Sequence, residues 1–182
     1  NEKVVVFAGD KAYVGTVSGT SITWGTGVQY SNYAEETRAQ YDPVSGKIII
    51  VYRDSGNNQY ATMRIATVSG TTISFTSATV LYSNNSSEIQ TVYDPDNDVY
   101  VFMFFYSYQV YIFAISMSSS GVPTVKGQHD LGSQTDYARP VYDTANNRLV
   151  VFHRNRSYNR TEVKVSTSFN TNGEYSFSSA HN

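Results

Sequence analysis

The sequence predicts an all-β protein of four β-propeller-type blades, each of four antiparallel strands, with the first blade lacking its leading strand. Three observations predict this. A turn glycine recurs at Gly19, Gly70, Gly121 and Gly173, at spacings of 51, 51 and 52 residues. A Tyr-Asp pair recurs at Tyr41-Asp42, Tyr93-Asp94 and Tyr142-Asp143. Each pair precedes a short apolar run rich in β-branched and aromatic residues, and no stretch keeps the i, i+3, i+4, i+7 spacing of a helix. The expected blades span about 1–37, 38–90, 91–140 and 141–182 of one repeat domain. A β-sandwich or a solenoid of hairpins is the alternative architecture.

Four extended pieces justify each repeat in order. Piece A runs into Tyr-Asp, as in RAQYD. The following turn carries Pro43, which fixes φ, and Gly46, which accepts a positive φ, so the chain reverses tightly. Piece B is the apolar run: VVVFA, KIIIVYR, VYVFMFF and RLVVFH. Such runs are too short for typical helices and read as strands buried on both faces. Piece C is exemplified by YATMRIATV and ends at Ser18-Gly19 or Ser69-Gly70, a hairpin turn. Piece D alternates, as in Thr72-Ile73-Ser74-Phe75, the period of a half-buried strand.

The first repeat opens at piece B, in NEKVVVFAG, so its A strand is missing and 15 strands are expected. A cut from a larger propeller, a ring that closes on a three-stranded blade, and a strand supplied by another chain all explain this. Starting at Asn1, the chain reads as processed or as a piece of a longer one. An open edge as apolar as Val4, Val5, Val6 and Phe7 invites pairing with another chain. The expectation is that this assembly edge is covered.

Composition narrows the function classes. Only 15% of the 182 residues are charged, the net charge is −2, and 14% are aromatic, with 16 Tyr. That balance lacks the basic field that nucleic acid or an anionic membrane would require. No apolar run approaches a membrane-spanning length. Cysteine is absent, which excludes disulfides and thiolate metal sites. A polar but sparsely charged surface suits an extracellular, virion or cell-surface protein and favours self-association.

Candidate chemistry is sparse. Asp42, Asp94 and Asp143 read either as a repeated ligand set or as turn residues that accept backbone N–H bonds. Asp94, Asp96 and Asp98 begin like a calcium loop, but Val99 and Phe105 stand where an EF-hand needs Gly and Glu, so an acidic turn is expected. Glu36, Glu88 and Asp136 precede piece A and could face a common opening. His129, His153 and His181 lie in separate repeats without metal-like spacing. No nucleophile, phosphate-loop or zinc motif occurs. No carboxylate pair stands out, no cofactor is called for, and the chain reads as a non-enzyme. Sequons at Asn84, Asn85, Asn155 and Asn159 bear only on a eukaryotic secretory setting.

The B–C loops vary most, and loops vary where binding is done. They offer Arg53, Asn57 and Tyr60 in the second repeat and Tyr106 and Tyr108 in the third. The fourth offers Arg154, Arg156, Tyr158 and Arg160. These residues combine flat apolar faces with planar donors, which suits sugar rings or a polar protein interface. The arginine cluster, with Lys164, favours an acidic glycan.

The string YDPVSGKIIIVYRDSGNN at 41–58, followed by ATVSGTTISF at 66–75, resembles a repeat of aquatic phage tail-fibre and virion-associated proteins and of environmental repeat proteins. The resemblance covers the whole chain and is weakest in the third repeat. It implies an extracellular β-repeat in a structural or receptor-binding part, and no catalytic motif. Propeller lectins are similar at the level of architecture only. The expected function is therefore a non-catalytic structural or adhesive module of a filament, appendage or virion fibre, partnered by copies of itself, by neighbouring subunits or by glycans. A free-standing propeller lectin is the alternative, and a glycoside-processing enzyme is the third reading.

Overall fold

The structure, a computed structural model, describes residues 2–179. His181 lies outside them. The described residues are all-β, form four antiparallel sheets and contain no helix. The chain divides into two compact units, Asn1–Asn85 and Ser86–Asn182.

In the first unit, β1 (Lys3–Ala8), β2 (Lys11–Ser18), β3 (Ser21–Trp24) and β4 (Val28–Gln29) form one sheet. The other holds β5 (Ala34–Asp42), β6 (Lys47–Asp54), β7 (Tyr60–Ser69), β8 (Thr72–Phe75) and β9 (Thr79–Asn85). In the second unit, β10 (Ser87–Asp94), β11 (Val99–Tyr106), β12 (Gln109–Met117) and β13 (Pro123–Ser133) run in sequence order. So do β14 (Thr135–Asp143), β15 (Arg148–Asn155), β16 (Arg160–Phe169) and β17 (Tyr175–Phe177). The strands ending in Tyr-Asp start at 34, 87 and 135, several residues ahead of the repeat starts expected at 38, 91 and 141.

Among the described residues seventeen strands replace the expected fifteen because piece D is split in the first two repeats. β3 and β4 both pair with β2, and β8 and β9 both pair with β7. Thr76 bridges the second gap, its N–H donating to the Ile65 carbonyl and its hydroxyl accepting from Ile65 N–H, each at 3.0 Å. Short polar segments such as Val28–Gln29 carry too little alternation to be read as strands.

The Tyr-Asp turns are built alike. Asp42 accepts from the N–H groups of Val44 and Ser45, Asp94 from Asp96 and Asn97, and Asp143 from Ala145 and Asn146. Four residues past each Asp the chain enters the left-handed region, at Gly46, Asp98 and Asn147 (φ 68°, 49° and 53°). Gly, Asp and Asn are the residues that tolerate that conformation. Asp94 also accepts from Asn97 Nδ2 at 2.8 Å and from the Tyr175 hydroxyl. Four donors saturate a carboxylate, so the acidic turn is satisfied by protein alone. Burial and the Asp94 charge together raise the Tyr175 pKa, which keeps that hydroxyl a donor.

Two of the four B strands bury both faces as expected. Ile48 to Tyr52 in β6 and Val99 to Phe104 in β11 are all buried. The other two do not. In β15 Leu149, Val151 and His153 are buried while Phe152 is 43% exposed, and in β1 Val6 is 40% exposed. A strand has two faces, and the outer face of these two is only partly covered, with Val4 and Val150 half-buried. Separate cores result. The first unit gathers Ala12, Val14, Tyr30, Ile50, Tyr52 and Ile73, and the second Val101, Met103, Ile112, Leu149, Val151 and Tyr175.

β1 is an edge strand, paired with β2 alone. Val5 and Phe7 turn inward onto the first core, and Phe7 meets Tyr30 edge-on at 5.6 Å. A cavity of about 690 Å³ lies beside them, lined also by Ala39, Tyr41, Ile48 and Val68.

Ile49 is fully buried and Val141 is exposed, so truncation separates the two environments. Ile49→Ala is expected to cost about 2–5 kcal/mol and Val141→Ala under about 0.5 kcal/mol. Chemical denaturation of both variants checks this, and equal losses would contradict the burial of β6.

Candidate functional site

Counting from the Asp of each Tyr-Asp turn puts the repeats in register and exposes where they differ. Seven residues before it stand Glu35, Ser87 and Asp136, and eleven after it Arg53, Phe105 and Arg154. These residues face each other across the first two strands of their sheets. Ten residues after it stand Tyr52, Phe104 and His153, all buried. Opposite these on the next strand are Thr62, Tyr111 and Glu162. The fourth repeat thus carries Asp, His, Arg and Glu where its relatives mix aromatic and hydroxyl side chains with a single ion pair.

A one-residue bulge aims these groups. β5, β10 and β14 each slip register at the residue six before the Asp, namely Glu36, Glu88 and Tyr137, with φ of 50°, 56° and 50°. Bulges of this kind redirect side chains. The expected grouping of Glu36, Glu88 and Asp136 is therefore off by one. Tyr137 holds the position of the two glutamates, and Asp136 belongs with Glu35 and Ser87. In the second unit Glu88 Oε2 accepts from Tyr137 N–H at 2.8 Å.

Asp136 is buried and anchors the site. Arg154 grips it with two parallel bonds, Nε to Oδ1 at 2.9 Å and Nη2 to Oδ2 at 2.8 Å. Arg156 adds Nη1 to Oδ2 at 2.7 Å. Two-pronged pairing of this kind fixes guanidinium planes more firmly than a point charge would. The Asp136 charge in turn raises the Arg154 pKa. Glu162, 4% exposed, accepts from Asn155 Nδ2 at 3.0 Å and Arg160 Nε at 2.9 Å. Those bonds to the ionised form lower its pKa.

Each of these arginines lies over a tyrosine ring. Arg154 sits 5.0 Å from the centre of Tyr137, Arg156 4.6 Å from Tyr108, and Arg160 4.8 Å from Tyr158. The rings themselves remain open to solvent, Tyr158 by 68%. Arginine over a ring face is attracted by the ring quadrupole and holds the ring in place. A cavity of about 380 Å³ opens beside Tyr137, lined also by Arg139, Phe152, His153, Arg154, Asn159, Arg160 and Thr161.

His153 forms part of the cavity wall at 2% exposure, and neither ring nitrogen completes a hydrogen bond. Burial lowers its pKa, and the nearby Arg154 backbone offsets this only in part. The imidazole is therefore neutral at neutral pH.

Five residues expected to bind come together here: Tyr108, Arg154, Arg156, Tyr158 and Arg160. Tyr106 lies in β11 against Tyr111, 6.4 Å between ring centres. The others belong to the first unit. Arg53 pairs with Glu35 at 2.8 Å and also bonds Gln59. Asn57 lines a separate cavity of about 440 Å³ with Tyr33, Tyr52, Asp54 and Arg64. Tyr60 opens β7, opposite Asp54. Sequence reading missed Tyr137, Arg139, His153 and Glu162 as members of one site. The signal for His153 was present, since it stands where the other repeats bury Tyr52 and Phe104. Among the described residues no group of carboxylates or histidines is arranged to hold a metal ion.

No family model matches the chain, and no curated protein matches it. Two solved structures are similar. A crystal structure of a protein from Lactobacillus plantarum matches with a TM-score of 0.66 and 16% identity over 94% of this chain and 51% of that one. Exo-β-1,3-galactanase from Phanerochaete chrysosporium, solved with β-1,3-galactotriose, matches with a TM-score of 0.56 and 9% identity over 98% and 49%. The chain spans about half the length of both. At these identities the likeness concerns the fold.

The lowered pKa values of His153 and Glu162 give stability a pH dependence of known sign. A folded-state pKa below the unfolded value means the unfolded chain binds protons more readily, so stability falls as pH drops. His153 acts first, below the unfolded histidine value of about 6.5, and Glu162 below about 4.3. Urea midpoints from about pH 7.5 to 5 are expected to decline, and His153→Phe to flatten that decline. An unchanged slope in the variant would place its origin elsewhere.

Proposed function

We propose that the chain is a non-catalytic carbohydrate-binding module whose four sheets are propeller-type blades and whose sugar site lies in residues 86–182. The observation that carries this reading is the set of three exposed tyrosine rings, each held by a guanidinium 4.6–5.0 Å from its centre, with Tyr137 in the wall of a cavity. A rigid aromatic face suits the apolar side of a sugar ring, and fixed planar donors suit its oxygens. The likeness to a galactanase fold supports a carbohydrate ligand by analogy only.

The carboxylates favour binding over hydrolysis. Glycosidases use two carboxyl groups about 5–10 Å apart, one of them protonated to act as an acid. Asp136 is held by two arginines, and Glu162 is held ionised by Arg160 and Asn155. Neither is disposed to deliver a proton. Affinity electrophoresis in gels cast with neutral and acidic polysaccharides tests the reading. Retardation by at least one is expected, weakened about tenfold by Tyr158→Ala without a change in melting. Free migration in all of them would remove it.

Self-association belongs to the same reading, in an extracellular or particle-surface setting such as a fibre or appendage. The sparse charge and the repeat resemblance support it, as does the unpaired outer edge of β1, apolar at Val4, Val5, Val6 and Phe7. An edge of that kind templates pairing between chains. Sedimentation over a concentration series is expected to show association, abolished by Val6→Lys. A wild type that stays monomeric throughout would contradict it.

A further inference from the structure

We infer that the sugar bound at this site is acidic, a uronic-acid residue whose carboxylate pairs with Arg139. This rests on the carbohydrate-binding reading of the same site.

The cavity wall carries Arg139, Arg154 and Arg160 and no acidic residue. The three arginines are not equivalent. Arg154 is neutralised by Asp136 and Arg160 by Glu162. Arg139 donates only Nη1, to the Ala138 carbonyl at 2.8 Å, and among the described residues no carboxylate pairs with it. Most of its five-donor fork is left for a ligand. Such a fork matches a carboxylate with two parallel bonds.

The wider surroundings are also cationic. Arg154, Arg156, Arg160 and Lys164 stand around Asp136, Glu162 and Glu88, and Arg139 joins Arg154 and Arg160 in the cavity wall. In a chain whose net charge is −2, that concentration of positive charge is local.

His153 sets the fourth repeat apart from its relatives. A buried polar group without a partner calls for an explanation, and both nitrogens of this ring lack one while the ring lines the cavity. The nitrogens themselves lie behind the cavity surface, so the ring contributes a polar wall rather than a ligand contact. At the same position Phe104 presents no polar atom, and the Tyr52 hydroxyl already accepts from Arg64 at 3.3 Å. Only the fourth repeat leaves this polar group open.

Isothermal titration of the full chain tests the inference with three probes: an oligogalacturonate, its carboxyl-reduced neutral form, and a sulfated galactan oligosaccharide. Wild type is expected to bind the oligogalacturonate at least about tenfold more tightly than the reduced form. Arg139→Gln is expected to erase that preference, leaving both at the weaker affinity. Tyr158→Ala should weaken both equally, because reduction leaves the face of the sugar ring unchanged. Equal wild-type affinity for charged and reduced forms would overturn the acidic-sugar assignment and leave the carbohydrate reading standing. Binding of the sulfated probe alone would overturn the carboxylate. An unchanged preference in Arg139→Gln would overturn the role of that residue. No binding to any probe or to neutral polysaccharide would overturn both the inference and the reading it rests on.

Discussion

The hydrogen bonds that close each Tyr-Asp turn are the constraint from which the rest is measured. When Asp42, Asp94 and Asp143 accept two backbone N–H groups apiece, the first hairpin of each repeat can start in only one register. A one-residue slip would turn every side chain of the next strand to the other face. Register then fixes which residues meet eleven positions downstream, and the bulge six positions upstream fixes which way they point. Asp136 meets Arg154 because of a turn some 20 Å of extended strand away.

With register fixed, the repeats become an internal comparison of what one scaffold position can hold. The third repeat fills the centre of its sheet with Phe104, Phe105 and Tyr111, whose burial stabilises without further requirement. The fourth places Asp136, His153, Arg154 and Glu162 in the corresponding places. Buried charges gain little over an apolar core of similar volume, since desolvation offsets their attraction. Each carboxylate here is fully engaged, by Arg154 and Arg156 or by Asn155 and Arg160, so the arrangement is tolerated. Stability alone does not account for a polar centre in one repeat and an aromatic one in the next, and that difference points to use rather than to folding.

The sequence carried the repeat, the turn chemistry and the buried strands β6 and β11 clearly, because each is written in local residue types: Asp, Gly and runs of Val, Ile and Phe. It carried half of the site, because Tyr108, Arg154, Arg156, Tyr158 and Arg160 fall in or beside loops that vary between repeats. What stayed hidden has physical reasons. The bulge residues Glu36, Glu88 and Tyr137 adopt a positive φ without being glycine, so no residue type marks them. The split of piece D rests on two-residue pairings and single hydrogen bonds, below the length at which alternation can be seen. The exposed faces of β1 and β15 are spelled with the same apolar letters as buried ones, because exposure is decided by what lies opposite.

The second repeat shows how little separates a structural ion pair from a binding site. It keeps the Glu35–Arg53 pair at the position of Asp136 and Arg154, and a cavity of similar size adjoins it. Yet Glu35 is half exposed, where Asp136 is buried. Arg53 is drawn to Gln59, and its cavity wall balances Arg64 with Asp54. Tyr52 stands where His153 stands, with its hydroxyl engaged. An exposed pair of this kind contributes little and is screened by salt. In the fourth repeat the carboxylate is buried and held by two arginines, the residue before Arg154 is a histidine, and Arg139 in the cavity wall adds a cation with no counter-charge among the described residues. One backbone thus yields a cavity wall with both charge signs in one unit and a wall of arginines in the other, and an uncompensated cation is what an acidic ligand completes.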